Sequence, residues 1–316
     1  METTGSHILI DALRHEGVDT IFGYPGAAII PVLDRLYDGP IRFVLTRHEQ
    51  GAAHMADGYA RASGRVGVCM ATSGPGATNL TTGIATAHMD SIPLVAITGQ
   101  VRTHLIGNDA FQEADVTGLM RPIAKHAYLV RDVRDLARIV RQAFHIARTG
   151  RPGPVVIDLP VDVTTAKHHG PVSRELRLPG YKPNTNGHAR QIQRAAEAIN
   201  AAERPVVYAG GGVIASGASA QLSALAEAGR LPVTTTLMGL GGFPGDHPLW
   251  LGMLGMHGTP TANHAIMGSD LIVAVGARFD DRVTGRLDAF APDARIVHID
   301  IDPSSISKNI RVHIPV

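Results

Sequence analysis

A chain of 316 residues that is 44% hydrophobic, 18% charged and 4% aromatic has the composition of a globular α/β protein, long enough for two cores and neither disordered nor fibrous. Its formal net charge is +1 and no Lys/Arg-rich run occurs, which leaves no electrostatic case for nucleic acid or a membrane surface as partner. The single cysteine, Cys69, lies in the apolar run 66–71 and cannot close an internal disulfide, so a core position in a reducing compartment is expected. No apolar stretch of about 18 residues and no basic-then-apolar start is present, and a cytoplasmic location is the expectation.

The first predicted helix covers 4–16, with Ile8, Leu9, Ala12 and Leu13 on one stripe and Gly17 suited to the position after its end. Strand 41–45, helix 49–61, strand 66–71, helix 77–88 and strand 93–98 follow in alternation. The spacing of Val133, Leu136, Ala137, Val140, Ala143, Phe144 and Ala147 predicts a helix over 133–148. Gly150 closes it, and Arg148 complements the dipole of its last turn. The run 154–159 reads as one more apolar strand. Strands without alternation, separated by helices, imply a parallel sheet covered on both faces.

Between 166 and 187 the sequence is rich in turn formers and has no period, which predicts a linker. A helix over 189–202, strand 205–209, a triple glycine, helix 220–228 and strands 233–237, 271–275 and 296–301 predict a second parallel sheet. The expected fold is α/β, with two doubly wound parallel-sheet domains over 1–165 and 188–316.

Four segments have the residue types for chemistry. Phe22-Gly-Tyr-Pro-Gly-Ala-Ala28 reads as a tight turn, or as a loop whose small residues let a ligand approach the backbone. Thr46-Arg-His-Glu-Gln-Gly-Ala-Ala-His54 puts Glu49 where a strand gives way to a helix, the place where open α/β sheets bind ligands. An acid in a first helical turn also simply complements the dipole. A zinc reading of His48 and Glu49 fails, because it needs a second histidine where Ala52 stands, and His54 is out of register. Ala71-Thr-Ser-Gly-Pro-Gly-Ala-Thr-Asn-Leu80 is a glycine loop at a helix start without a Walker A lysine. The last is a dispersed set: 210–212, 236–238, 254–258, 276–282 and 300–302. Glycines just after a strand and acids at a later strand end suit a dinucleotide's phosphates and ribose, although the spacing is not G-x-G-x-x-G.

Longer stretches carry a family likeness. Arg47-His-Glu-Gln-Gly-Ala-Ala-His-Met-Ala-Asp-Gly-Tyr-Ala-Arg61 precedes the 71–80 loop, then Asp90-Ser-Ile-Pro93, Thr98-Gly-Gln-Val101 and Asp109-Ala-Phe-Gln-Glu113. Met253-Leu-Gly-Met-His-Gly258 and Ala277-Arg-Phe-Asp-Asp-Arg-Val-Thr-Gly285 follow in order. Together they resemble the catalytic large subunits of the acetohydroxyacid (acetolactate) synthases, thiamine-diphosphate enzymes that also carry FAD. The resemblance implies a thiamine-pyrimidine-binding first domain and a Rossmann-like FAD-binding second domain. It also implies a decarboxylating condensation of two 2-oxo acids in branched-chain amino-acid biosynthesis, a homo-oligomer sharing its active site, and a regulatory small subunit.

By the same resemblance Glu49 is the acid at the thiamine aminopyrimidine nitrogen, favouring the tautomer whose exocyclic nitrogen takes the thiazolium C2 proton. Tyr24, Pro25, Gly26, Thr72, Pro75 and Asn79 surround that ring, Gln112 faces the reacting centre, and Phe111 and Ala27 lie near substrate. Arg151, Gly211, Gly212, Thr236, Leu237, Met238, His257, Arg278, Asp280, Arg282, Asp300 and Ile301 match FAD-contacting positions.

Two departures bear on this. Ala27 stands where biosynthetic members have a second glycine, and glyoxylate carboligases share that feature, but they carry an apolar residue where this chain has Glu49. No Gly-Asp-Gly…Asn motif for Mg²⁺ and the cofactor diphosphate is found, so the Mg²⁺ site is expected in a third domain absent from this chain. A fragment that binds flavin without turnover is therefore a further expectation.

Overall fold

The computed structural model describes residues 2–316, which fall into two units that divide after Lys182. In the first unit, β1 (Glu2–Thr4), α1 (Gly5–His15), β2 (Thr20–Gly23), α2 (Ile30–Tyr37), β3 (Arg42–Leu45), α3 (Glu49–Ser63) and β4 (Gly67–Ala71) come in order. After these come α4 (Pro75–Asn79), α5 (Thr81–Asp90), β5 (Leu94–Gln100), α6 (Val116–Met120), β6 (His126–Leu129), α7 (Leu136–Arg148), β7 (Pro154–Pro160), α8 (Val161–Thr165) and β8 (Lys167–His169). Six strands form one parallel sheet in the order β3-β2-β4-β5-β7-β6. The three central strands β4, β5 and β7 are buried along their whole length, as continuous apolar runs require when helices cover both faces. One face packs Val68, Met70, Val95, Ile97, Val155 and Ile157 against α1, α2 and α7. Cys69 is fully buried in β4, and burial pushes its thiol up to about 12, so it is a core side chain and not a nucleophile.

The expected helix 77–88 is two helices. Thr78 Oγ1 donates to Pro75 O at 3.1 Å and Thr81 Oγ1 to Thr78 O at 2.6 Å, and such back-bonding weakens the helical ladder at Leu80. Much of the stretch 166–187 is packed. β8 pairs antiparallel with β1, and Val172, Leu178 and Tyr181 rest on the first unit's core. Gln142 Nε2 donates to Arg177 O at 2.8 Å, and Tyr181 donates to Thr149 O at 2.8 Å.

The second unit comprises α9 (Ala189–Ala201), β9 (Pro205–Ala209), α10 (Gly211–Ala215), α11 (Ser219–Gly229), β10 (Val233–Thr235) and β11 (Trp250–Met253). It continues with α12 (Pro260–Met267), β12 (Leu271–Val275), α13 (Asp281–Thr284), β13 (Arg295–Ile299) and β14 (Ile314–Pro315). The sheet is parallel throughout, in the order β11-β10-β9-β12-β13-β14. Alternation of side chains splits it into two cores: Val207, Ala209, Val273 and Val297 on one face, Val206, Tyr208, Ile272, Ala274 and Ile296 on the other. The expected strand 233–237 is shorter, because Thr236 leaves the ladder and caps a 3-10 turn by accepting from Gly239 N at 2.9 Å. Among the described residues no helix is long and apolar enough to cross a membrane.

Candidate functional site

In the first sheet the chain runs outward from β2 to β3, then jumps back across β2 to β4. That reversal between β2 and β4 opens a crevice at the carboxyl ends of the strands, where doubly wound sheets place ligands. Three of the four sequence segments, 22–28, 46–54 and 71–80, meet there. Tyr24 N donates to Met70 O at 3.3 Å, and Ala28 N to Thr72 Oγ1 at 3.2 Å. A Cβ on Gly26 would fall 2.4 Å from Thr72 Cβ, so only glycine lets the first loop lie on the second. Gly74 has φ +54°, and a side chain there would meet Gln112 O at 2.5 Å, which brings a further loop onto the same edge. Tyr24, Pro25, Ala27 and Pro75 are exposed along this crevice.

Glu49 opens α3, yet its side chain does not serve the helix end. The cap is His48, whose Nδ1 accepts from Gln50 N at 3.0 Å. Glu49 is 8% exposed and turns toward α4, where its Oε2 accepts from Asn79 Nδ2 at 3.0 Å. Among the described residues no Lys, Arg or His pairs with it, and no hydrogen bond reaches Oε1. A Cβ on Gly76 would sit 3.4 Å from that Oε1. A carboxylate this buried ordinarily has a charged partner or several donors. One amide and an open oxygen beside a glycine loop instead fit a ligand group with a polar nitrogen.

Phe111 is 87% exposed and Gln112 is exposed with φ +55°, a conformation uncommon for a side-chain-bearing residue. In sequence, Gly74 and Gly76 stand out only as members of the 71–80 glycine loop and Gln100 only within the 98–101 motif, and no motif marks Asp158 as a site residue. The signal for Asp158 was an acid inside an otherwise apolar strand, hydrogen-bonded by Thr98 Oγ1 at 2.7 Å and Gln100 Nε2 at 2.9 Å. Burial pushes its carboxyl up to about 7, against the pull of those two bonds.

The second sheet reverses between β9 and β12, where 210–212 and 276 meet. Gly212 N donates to Gly276 O at 3.0 Å, and a Cβ on Gly212 would fall 2.6 Å from Gly276 Cα. The smallness of Gly212 is thus accounted for by backbone packing, while Gly211 faces Met238, 3.1 Å from the position its own Cβ would take. Asp280 caps α13 by accepting from Arg282 N at 2.9 Å. Arg278 offers its carbonyl to Tyr208 at 3.1 Å, and Asp300 accepts from Asp302 N at 2.8 Å. The Arg282 guanidinium is exposed, its nearest acid Asp281 3.9 Å away, and His257 is exposed too. Leu237, Met256 and Ile301 are exposed apolar side chains on the loops after β10, β11 and β13. A loosely held cation with an apolar rim at a switch point suits a flat ring system bearing phosphates. In the first unit, Arg151 Nε donates to Ser91 Oγ at 2.8 Å.

This chain belongs to the thiamine pyrophosphate enzymes: residues 3–119 match the N-terminal TPP binding domain of that family, and residues 192–316 match its central domain. Within the family it is similar to acetolactate synthase large subunits. It is 58% identical over 315 residues to the "Probable acetolactate synthase large subunit" of Methanocaldococcus jannaschii, covering 99% of this chain and 53% of that protein. It is 56% identical over 316 residues to "Acetolactate synthase large subunit IlvB1" of Mycobacterium tuberculosis, covering 100% and 51%. With the "Acetolactate synthase large subunit" of Corynebacterium glutamicum it shares 52% over 314 residues, covering 99% and 50%. The chain spans about half the length of the curated relatives it matches.

Proposed function

We propose that this chain forms the pyrimidine-binding and flavin-binding portion of an acetolactate synthase, which joins two 2-oxo acids, pyruvate with pyruvate or with 2-oxobutyrate, with loss of CO₂. The observation that carries the reading is the buried Glu49 carboxylate, held at Oε2 by Asn79 and open at Oε1. Thiamine diphosphate, when bound, would supply a ring carbon that adds to the 2-oxo acid once deprotonated and a cationic ring that takes up the electron pair released on decarboxylation. Glu49 holds the proton at the aminopyrimidine nitrogen, and Asn79 fixes its orientation. Tyr24, Pro25, Gly26, Thr72 and Pro75 would wall the ring. Phe111, Gln112 and Ala27 face the incoming substrate.

In the second unit, Gly211, Gly212, Thr236, Leu237, Met238, His257, Arg278, Asp280, Arg282, Asp300 and Ile301 are proposed to hold FAD. Arg282, exposed and 3.9 Å from Asp281, is the cation proposed to meet a phosphate. Among the described residues no group of three or more His, Cys, Asp or Glu could hold a metal ion, so Mg²⁺ has no ligand assigned in this chain. Exposed Tyr37, Leu45 and Phe111 favour a homo-oligomer, and relatives described as large subunits favour a small-subunit partner.

Two experiments test this. The 316 residues alone, with thiamine diphosphate, Mg²⁺, FAD and pyruvate, are expected to form no acetolactate, since the relatives are about twice as long. The same sequence joined to the remaining half of a full-length relative is expected to form it. Turnover by the isolated chain overturns the first expectation, and a fusion that consumes glyoxylate in place of pyruvate replaces the reading with the glyoxylate carboligase that Ala27 favours and Glu49 disfavours. Separately, the chain is expected to quench FAD fluorescence, and Arg282→Ala to weaken that binding roughly tenfold, the loss of one charge-assisted phosphate contact. A chain without quenching, or an alanine variant that binds equally well, removes the flavin assignment.

A further inference from the structure

The loop 101–115 carries Phe111 and Gln112 out from the end of β5, and both of its stems are tied to a single corner of the fold, the junction of β7 with α8. At the first stem, Asp162 accepts from Thr103 N at 3.1 Å through Oδ1 and from Thr103 Oγ1 at 2.6 Å through Oδ2. At the second stem, Gln100 Nε2 donates to Ala114 O at 2.8 Å and to Asp158 Oδ2 at 2.9 Å. Gln100 Oε1 accepts from Val101 N at 2.8 Å. Both N–H donors of that amide and one lone pair of its oxygen are therefore used, and Asp158, Ala114 O and Val101 N together dictate which way round it sits. Turned over, the amide would set its NH₂ against Val101 N–H and its oxygen against both Asp158 and Ala114 O. Within the loop, Glu113 takes the amides of Gly107 and Ala110, and Asp109 and Gln112 both hold positive φ. A segment with two such residues persists only where its surroundings over-determine it.

An apolar side chain at 158 would complete the fully buried β5–β7 pairing without the desolvation that an acid suffers there. A packing role therefore leaves the acid unexplained, whereas orientation of Gln100 explains it. We propose that Gln100, Asp158 and Asp162 are positioning residues that lock the 101–115 loop and so set the place of Gln112 during the step in which the second 2-oxo acid is joined. The catalytic half of this statement rests on the acetolactate synthase reading; the anchoring half does not.

Amide hydrogen exchange on the 316-residue chain tests the anchoring without any cofactor. Gln100→Ala and Asp162→Ala are expected to speed exchange across 101–115 by roughly tenfold, as loss of one or two anchoring bonds should. Exchange in 94–97 and 154–157 stays close to that of the parent chain. Asp162→Asn retains an acceptor for Thr103 N and is expected to restore slow exchange. Unchanged exchange in the loop, an equal rise in the core strands, or an Asp162→Asn variant that exchanges like Asp162→Ala overturns the anchoring. In the fusion with the remaining half of a relative, Gln100→Ala is expected to lower acetolactate formation while C2 proton exchange of thiamine diphosphate is retained. A parallel fall in both overturns the positioning role. A fusion whose C2 exchange does not depend on Glu49 instead counts against the thiamine reading, whatever the loop does.

Discussion

Glu49→Gln, in the fusion with the remaining half of a full-length relative, is expected to slow C2 proton exchange of bound thiamine diphosphate by roughly 10²–10⁴-fold, the usual contribution of a positioned proton-transfer group. The thermal midpoint should barely move. The amide is nearly isosteric with the acid, and its oxygen still accepts from Asn79 Nδ2, so the bridge between α3 and α4 survives. If Glu49 only complemented the helix dipole, neutralising it would remove about 0.3–1 kcal/mol of stability and leave the chemistry alone. The geometry already weakens that alternative, because His48 occupies the cap and the carboxylate points across to the neighbouring helix. The two accounts differ in where the loss falls, in rate or in stability. Hydrogen–deuterium exchange at C2, measured beside thermal unfolding for both proteins, separates them. Equal exchange rates would sink the catalytic role.

What could be read in the sequence was what depends on local pattern. β4, β5 and β7 lie in the middle of the first sheet and announce themselves as unbroken apolar runs. Gly17 and Gly150, placed after α1 and α7 by their position alone, take φ +80° and +60°. Strands β6, β11 and β14 are not legible, because they are short and lie at sheet edges, where a single pairing partner leaves no continuous buried apolar run. The same limit applies to the sites. The loops 24–29 and 72–76 could each be noticed, but nothing local says that Gly26 must lie on Thr72, or that Gly74 makes room for Gln112. Gly212 was read as a cofactor glycine; its nearest demand is the backbone of Gly276, a long-range contact that no spacing reveals. Asp158 escaped notice because its meaning depends on Gln100, a residue 58 positions away.

That buried acid gives the second large expectation, a stability that falls as pH rises. Burial holds the Asp158 carboxyl at about 7 in the folded chain, opposed by hydrogen bonds from Thr98 and Gln100 and reinforced by the charge of Asp115. In the unfolded chain it returns to its ordinary value near 3.8. The folded state therefore binds a proton that the unfolded state has released over the interval between these values, and stability decreases with pH there. The contribution is complete below about pH 4 and lost as pH climbs to about 7. A shift of roughly three units at 1.36 kcal/mol each corresponds to about 4 kcal/mol, as an order of magnitude. Asp19, Asp132 and Asp270 are held below their ordinary range and impose the opposite slope. Those groups are untouched by Asp158→Asn, so the difference between the two proteins isolates residue 158. Asparagine keeps the shape and, with its oxygen toward Gln100 Nε2 and its NH₂ toward the Thr98 hydroxyl, which can accept, mimics the neutral acid, so any cost of the exchange does not vary with pH. Urea unfolding followed by circular dichroism at pH 4 and pH 7.5 should show the parent chain losing most of its excess slope in the variant. Parallel curves for the two proteins would mean that Asp158 stays ionised in the fold, and that its two neutral donors are sufficient to hold a buried charge.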